Sequence, residues 1–82
     1  MKLYRIWQEV NDNYDTYDSA VVAARDEEDA RSINPESIHF DEQRSWMDYG
    51  SWTTPENVKV EFLGEAADNI KRSIICVSFN AG

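Results

Sequence analysis

The sequence predicts an α+β domain, in which a mostly antiparallel sheet of about four strands carries one short helix packed on it. Four segments have strand character, and a single capped helical segment lies between the second and the third. With 82 residues, 41% of them apolar, the chain is long enough for one core and too short for a second domain. The predicted order is two strands, a helix, a long aromatic loop and two strands.

The first two strands form a predicted hairpin. Residues 2–10 are rich in aromatic and β-branched types, and residues 11–13 (Asn-Asp-Asn) are typical of a turn. Residues 16–24, with the sequence TYDSAVVAA, are predicted to return as an antiparallel strand. Small Ala and Val side chains on both faces of this strand indicate close coverage on each side, by a helix on one of them.

The helix begins at Asp26, a natural N-cap that is followed by three acids in the first turn, where the helix dipole favours negative charge. Pro35 is predicted to stop it. Ala30 and Ile33 are expected to face the sheet, while Glu27 and Arg31 pair on the outside.

Residues 36–56 show no clear period and are predicted to be a long, functional loop, with a possible short strand at 38–41. Residues 57–63 alternate and predict strand three, with Val58, Val60 and Phe62 inward. One helical turn is possible at 66–70. Residues 73–79 (SIICVSF) are apolar on both faces, which predicts a central strand and a buried, inert Cys76.

The composition limits the classes of function. Sixteen acids against eight bases give a net charge of −8, which disfavours direct binding to nucleic acid or an anionic membrane and favours a protein partner with a basic surface. A single cysteine permits no intramolecular disulfide and no thiolate zinc cage. There is no long apolar segment of the signal-peptide or membrane-spanning kind, so we expect a cytoplasmic protein.

The stretch YDTYD at 14–18 places acids at a spacing of three, as Asp12, Asp15 and Asp18. A calcium loop of the EF-hand type needs alternating oxygen ligands and a glycine that this segment lacks. Along a strand, Asp15 and Asp18 point to opposite faces, which disfavours a catalytic pair. Two interpretations stay open: solvated acids at the start of a strand, or a partner-binding edge formed with Tyr14 and Tyr17.

Residues 46–52 concentrate three large aromatic side chains in the predicted loop. They fit a binding anchor, with Trp46, Asp48 and Tyr49 as contact residues, and they equally fit a lid over a thin sheet. We expect Trp52 to be the more buried tryptophan and Trp46 the more exposed one.

Catalytic chemistry finds little support in the sequence. His39 has no nucleophile or second histidine at a recognisable spacing, and the three glycines are too scattered for a phosphate loop. We therefore expect no catalytic site, no metal site and no cofactor. A small enzyme with a cleft near His39 is a minor alternative.

The acidity has two interpretations. Like charge keeps a small cytosolic domain in solution, or the acids imitate a nucleic acid and block a protein that binds one. Two acidic groups stand out, Asp12/Asp15/Asp18 at the hairpin and residues 26–29 at the helix start. The length of strand two separates them by about 25 Å.

Three pieces of the sequence, YDTYDSAVVAA at 14–24, EEDAR at 27–31 followed by Pro35, and GEA at 64–66 with SFNAG at 78–82, support a resemblance. The chain resembles a group of small, uncharacterised acidic proteins of bacteria and their phages. The resemblance implies an inhibitor of host machinery of the anti-CRISPR or other anti-defence kind. It supplies no catalytic residues.

From the sequence we predict a non-enzymatic acidic protein-binding module. It is expected to act as a phage-type inhibitor that occupies a basic, nucleic-acid-binding surface of its target. The alternative is a structural or accessory protein whose acidity serves only solubility.

Overall fold

The computed structural model describes residues 1–10, 16–35 and 52–80. The strands are β1 (Lys2–Trp7), β2 (Thr16–Ala24), β3 (Lys59–Glu65) and β4 (Ser73–Asn80); the helices are α1 (Glu27–Arg31) and a 3-10 turn (Pro55–Asn57). All three strand pairs are antiparallel, and the strands lie in the order β3-β1-β2-β4. A four-stranded antiparallel sheet with one short helix agrees with the predicted α+β class.

The β1–β2 hairpin forms as the sequence predicts, except that β1 is shorter. The second strand has the predicted bounds, and Ile6 lies opposite Ala20 in the register. The first strand ends at Trp7 rather than at residue 10. It ends there because the buried side chain of Gln8 is bonded to neighbouring backbone groups, so the chain leaves the regular ladder.

The helix α1 begins as predicted. The Asp26 side chain accepts a hydrogen bond from the backbone N–H of Asp29 at 2.8 Å, which satisfies one of the unpaired donors of the first turn. The helix ends at Arg31, before Pro35, and Ser32 caps it by donating its hydroxyl to the carbonyl of Asp29 at 2.7 Å. A helix of five residues is too short to be stable alone, so its packing must hold it.

The core lies between α1 and one face of the sheet. On β2, Ala20, Val22 and Ala24 present small side chains, and on the helix side Ala30 and Ile33 pack against them, as predicted for the last two. Small residues let the helix approach the sheet closely, which compensates for its shortness. The other members of the buried cluster are Tyr4, Ile6, Tyr17, Trp52 and Val58.

The predicted position of β4 was wrong. Among the described strands it pairs with β2 alone, so it lies at an edge of the sheet. Its run of apolar residues therefore does not mean burial on two faces, and Ile75 and Phe79 are both exposed. The register with β2 also skips Ile75, as a β-bulge does: Cys76 lies opposite Val21 and Ile74 opposite Val22. Cys76 is consequently exposed.

The other edge strand, β3, also differs from its prediction. It begins at Lys59, and the inward positions become progressively exposed: Val58 is buried, Val60 half-buried and Phe62 56% exposed. Phe62 lies at the rim because β3 is an outer strand among those that the structure describes, and its ring meets Tyr4 edge-on at 5.7 Å.

The connection between β3 and β4 contains a tight turn in place of the possible helical turn at 66–70. The backbone N–H of Ile70 donates to the carbonyl of Ala67 at 3.0 Å, and this bond closes the turn. The possible strand at 38–41 lies outside the described residues. Across the three described ranges, no helix is both long enough and apolar enough to cross a bilayer.

Trp52 should dominate the stability of the domain, because its side chain is 2% exposed and belongs to the buried cluster. We expect Trp52→Ala to lower the free energy of unfolding by about 3–5 kcal/mol, measured by chemical denaturation. Trp7→Ala, at a half-buried position, is the matched control and should cost clearly less. The sequence further predicts that Trp46→Ala lowers the free energy of unfolding less than Trp52→Ala does. If Trp46→Ala were the more damaging change, the assignment of Trp52 as the more buried tryptophan would be contradicted.

The thiol of Cys76 should react with a disulfide reagent in the native protein, because it lies exposed on an edge strand. We expect native labelling within a small factor of the rate in denaturant, followed by absorbance. Protection that disappears only on unfolding would show that β4 is covered.

Candidate partner-binding surface

The acidic start of α1 contains a buried carboxylate that binds two arginines. Asp29, with a side chain 6% exposed, accepts hydrogen bonds from the backbone N–H of Arg25 at 2.9 Å and from the Arg25 Nε at 3.3 Å. Its other oxygen accepts from Arg72 Nε at 2.8 Å. Arg72 also donates to the Ser32 hydroxyl at 3.2 Å. The carboxylate therefore joins α1 to the end of β2 and to the residue that precedes β4.

The pKa of Asp29 reflects this arrangement. Burial by itself would raise the pKa, but the hydrogen bonds from the Arg25 backbone and guanidinium and from Arg72 outweigh it and lower the pKa from 3.8 to about 2. Asp29 is thus ionised throughout the neutral range. From the sequence, Asp29 was grouped with the surface acids at the helix start. Arg25, four residues earlier, is only a weak indication of an ion pair, and the contact with Arg72 cannot be seen in the sequence.

Most of the other described cations are also held by fixed partners. Arg31 pairs with Glu27 at 3.2 Å, as predicted, and with Glu28 at 3.7 Å, and it donates to the carbonyl of Val58. Lys59 pairs with Glu9 at 2.6 Å, and its hydrogen bond lowers the pKa of the Glu9 carboxyl.

On the sheet face opposite α1, the Arg5 guanidinium lies 4.3 Å from the centre of the Trp7 ring, in a cation–π contact. Among the seven described cations, Lys2 and Lys71 are the two without an ion pair or a ring contact.

The base of the β1–β2 hairpin is fixed by Gln8, which sequence reasoning did not single out. Its amide donates to the carbonyl of Tyr17 at 3.0 Å, and its side-chain oxygen accepts from the backbone N–H of Val10 at 2.9 Å. The backbone N–H of Gln8 adds a bond to the carbonyl of Asp18 at 3.3 Å. One buried side chain therefore ties Val10, which directly precedes segment 11–15, to Tyr17, the second residue after that segment.

The acid excess is distributed unevenly along the chain. Six of the sixteen acids and one of the eight bases lie in segments 11–15 and 36–51, which together carry five of the eight excess negative charges. The described residues hold ten acids and seven bases, a net charge of −3. The charged residues of the two segments are Asp12, Asp15, Glu36, Asp41, Glu42, Arg44 and Asp48.

The predicted contact residues fall into three groups. Asp18 is exposed on β2, as expected for a solvated acid. Tyr17 is 2% exposed and packs on Phe79 with ring centres 4.7 Å apart, so it is a core residue and leaves the predicted contact set. The remaining six lie outside the described residues, as does His39: Asp12, Tyr14, Asp15, Trp46, Asp48 and Tyr49.

A shallow groove at the start of β3, about 420 Å³ in volume, brings Glu9, Arg31 and Lys59 together. Glu9 and Lys59 pair with each other, and Arg31 is bonded to Val58 and to the helix acids, so these three charged groups already have partners within the domain. Glu56, which also lines the groove, is exposed. Within the described part of the chain, no three His, Cys, Asp or Glu side chains converge as metal ligands would.

No family model matches the chain, and neither the curated proteins nor the solved structures include one similar enough to count as a match.

The Asp29 pairing should give the domain a defined acid sensitivity. Because the folded pKa is about 2 and the ordinary value 3.8, the stabilisation is complete above about pH 4 and is lost as the pH falls towards 2. We expect Asp29→Asn to lower the free energy of unfolding at neutral pH by about 1–2 kcal/mol, a value reduced for the solvent exposure of the arginines.

The measurement is denaturant unfolding of both proteins between pH 7 and pH 2, with Glu56→Gln at an exposed position as the control. The difference in the free energy of unfolding between the wild type and Asp29→Asn should shrink below pH 4. If this difference stays constant down to pH 2, the pairing of Asp29 with the arginines is excluded as its cause.

Proposed function

We propose that the chain is a non-enzymatic protein-binding module. In this proposal it acts in the cytoplasm as a phage-type inhibitor of host machinery, of the anti-CRISPR or other anti-defence kind. It occupies a basic, nucleic-acid-binding surface of its target. The observation that carries the proposal is the uneven division of charge: segments 11–15 and 36–51 carry a net charge of −5, whereas the much longer framework, residues 1–10, 16–35 and 52–80, carries −3.

The electrostatic reason is that most cations of the framework already have partners within the domain. Arg25 and Arg72 are bound to Asp29, and Arg31 is bound to the acids of α1. The helix start is therefore close to neutral as a surface, although its sequence is acidic. Lys59 lies opposite Trp7, at the hairpin end of β1, and it offsets one charge, that of Glu9.

The acids that we propose attract a partner are Asp12, Asp15 and Asp18 at the hairpin and the acids of segment 36–51. Their flanks are firmly placed: Gln8 holds the hairpin base, and Ile33 and Trp52 bury the two ends of the second segment in the core. When a partner binds acids in a segment that is anchored at both ends, less conformational entropy is lost than when it binds acids on a free tail.

The aromatic residues supply the second half of the proposed surface. Trp46 and Tyr49, with Asp48 between them, lie in segment 36–51, which we propose to be the long aromatic loop between α1 and β3. Aromatic side chains dominate binding energy at protein interfaces, while surrounding charges set the rate and the selectivity of association. Tyr14 is the corresponding aromatic residue at the hairpin.

The test is capture of partners from a bacterial lysate by the tagged protein, with elution by salt and by competing duplex DNA. A partner held through a nucleic-acid-binding surface should be released by both. The triple variant Asp12→Asn, Asp15→Asn, Asp18→Asn should lose most of the captured protein, because it removes three charges from one proposed contact region.

The matched control is Glu56→Gln, Glu61→Gln, Asp68→Asn, which removes the same charge from exposed positions elsewhere. It should retain the partner. Equal loss in both triple variants would indicate a net-charge effect. A lysate that yields no partner at low salt would favour the alternative, in which the acidity serves only solubility.

A further inference from the structure

The sheet face opposite α1 contains a shallow hollow of about 120 Å³. It lies over β2 and β4, where Ser19 is opposite Ser78 and Val21 is opposite Cys76 in the register, and all four residues line it. Arg5, which is opposite Val21 on β1, also lines it. Among the described residues no acid lines the hollow, although acids outnumber bases by sixteen to eight in the chain.

The polar side chains around this hollow have unpaired hydrogen-bond donors. Each of the other three described arginines binds a carboxylate, but Arg5 has no ion pair among the described residues. Its guanidinium lies over the Trp7 ring, although Glu61 is directly opposite Arg5 on β3. The ring positions the guanidinium without accepting its in-plane N–H groups. The hydroxyls of Ser19 and Ser78 also lack a hydrogen-bond partner within the described ranges.

We propose that the hollow binds a phosphate group. The Arg5 guanidinium and the two serine hydroxyls can donate to it from different sides, and a tetrahedral oxyanion carries acceptor oxygens on every side. A planar carboxylate would be satisfied by the guanidinium alone and would leave the hydroxyls unpaired. The site lies on the face of the sheet away from α1 and does not depend on the proposed function.

The negative charge of the chain limits the affinity that this site can have. Two exposed acids adjoin it in the sheet: Glu61, opposite Arg5, and Asp18, next to Ser19. Both lower the affinity for an anion, whereas more distant exposed acids are screened beyond about 8 Å at physiological salt. We therefore expect phosphate to bind with a millimolar dissociation constant, and Glu61→Gln to bind it about twofold more tightly or better.

The experiment is a titration of the isotopically labelled protein with inorganic phosphate at constant ionic strength and neutral pH, followed by amide chemical shifts. The shifts should saturate and should be largest at the residues that line the hollow. Arg5→Gln should weaken binding about tenfold or more, because it removes the charge-assisted hydrogen bonds. Lys2→Gln is the matched control. It removes the same charge from an exposed position on the same strand and should change the dissociation constant less than about twofold.

The serines distinguish a phosphate site from an exposed arginine that attracts any anion. Ser78→Ala should weaken phosphate binding about threefold or more, because one hydrogen bond is lost. Ser73→Ala is its control, since Ser73 is exposed on the same strand and does not line the hollow, and it should bind phosphate like the wild type. Acetate should bind more weakly than phosphate, and Ser78→Ala should not change its affinity.

The thiol of Cys76 gives an independent readout, because it lines the hollow and is exposed. Phosphate should slow its labelling by the uncharged reagent N-ethylmaleimide, with half of the effect at the dissociation constant found in the titration. Arg5→Gln should remove this protection. O-phosphoserine in place of inorganic phosphate distinguishes two sources of the group: tighter binding assigns the site to phosphate esters, and weaker binding assigns it to the free anion.

Three results would overturn the proposal. Phosphate shifts that do not saturate, or that are largest around other cations, would show that the hollow is not the binding site. Acetate binding as tight as that of phosphate would exclude the assignment to a phosphate group. Equal weakening by Arg5→Gln and Lys2→Gln would reduce the effect to net charge.

Discussion

A helix of five residues has to cover one face of a four-stranded sheet, and the buried carboxylate of Asp29 is the interaction that makes this possible. A helix of this length cannot hold its shape by its own hydrogen bonds. The carboxylate is bonded to Arg25, at the end of β2, and to Arg72, just before β4, so it joins three elements at one point. Apolar packing of Ala30 and Ile33 completes the layer. If the carboxylate were lost, two arginines would be left without their partner and the helix without its attachment.

The same interaction determines which acidic residues are already paired within the domain. By binding Arg25 and Arg72, Asp29 turns the acidic start of α1 into an internally balanced region. Five of the eight excess negative charges belong to segments 11–15 and 36–51, whose flanks are fixed by Gln8 and by the burial of Trp52. The described residues carry a net charge of −3 and the two segments a net charge of −5. The edge strand β4 carries no charged residue at all.

Local signals in the sequence were sufficient for the hairpin strand β2, for the Asp26 cap and for the facing of Ala30, because each depends on neighbours within a few residues. The antiparallel sheet agrees with the prediction, but the position of β4 within it does not. The run at 73–79 has the composition of a central strand, and only the order of the strands shows that it lies at an edge of the described sheet. For the candidate site, the spacing of the acids located the hairpin group, but the contact between Asp29 and Arg72 joins residues 43 positions apart and leaves no local pattern.

The proposed function depends above all on one claim, that the acids of the hairpin and of segment 36–51, and not those of α1, attract a basic partner. The most direct measurement is a titration of the isotopically labelled protein with a short arginine-rich peptide, followed by amide chemical shifts at low and moderate salt. We predict salt-sensitive shifts in residues 11–18 and 36–51, with the amides of Glu27 and Glu28 largely unchanged. Shifts that are largest in α1, or that are spread evenly over all exposed acids, would contradict this claim.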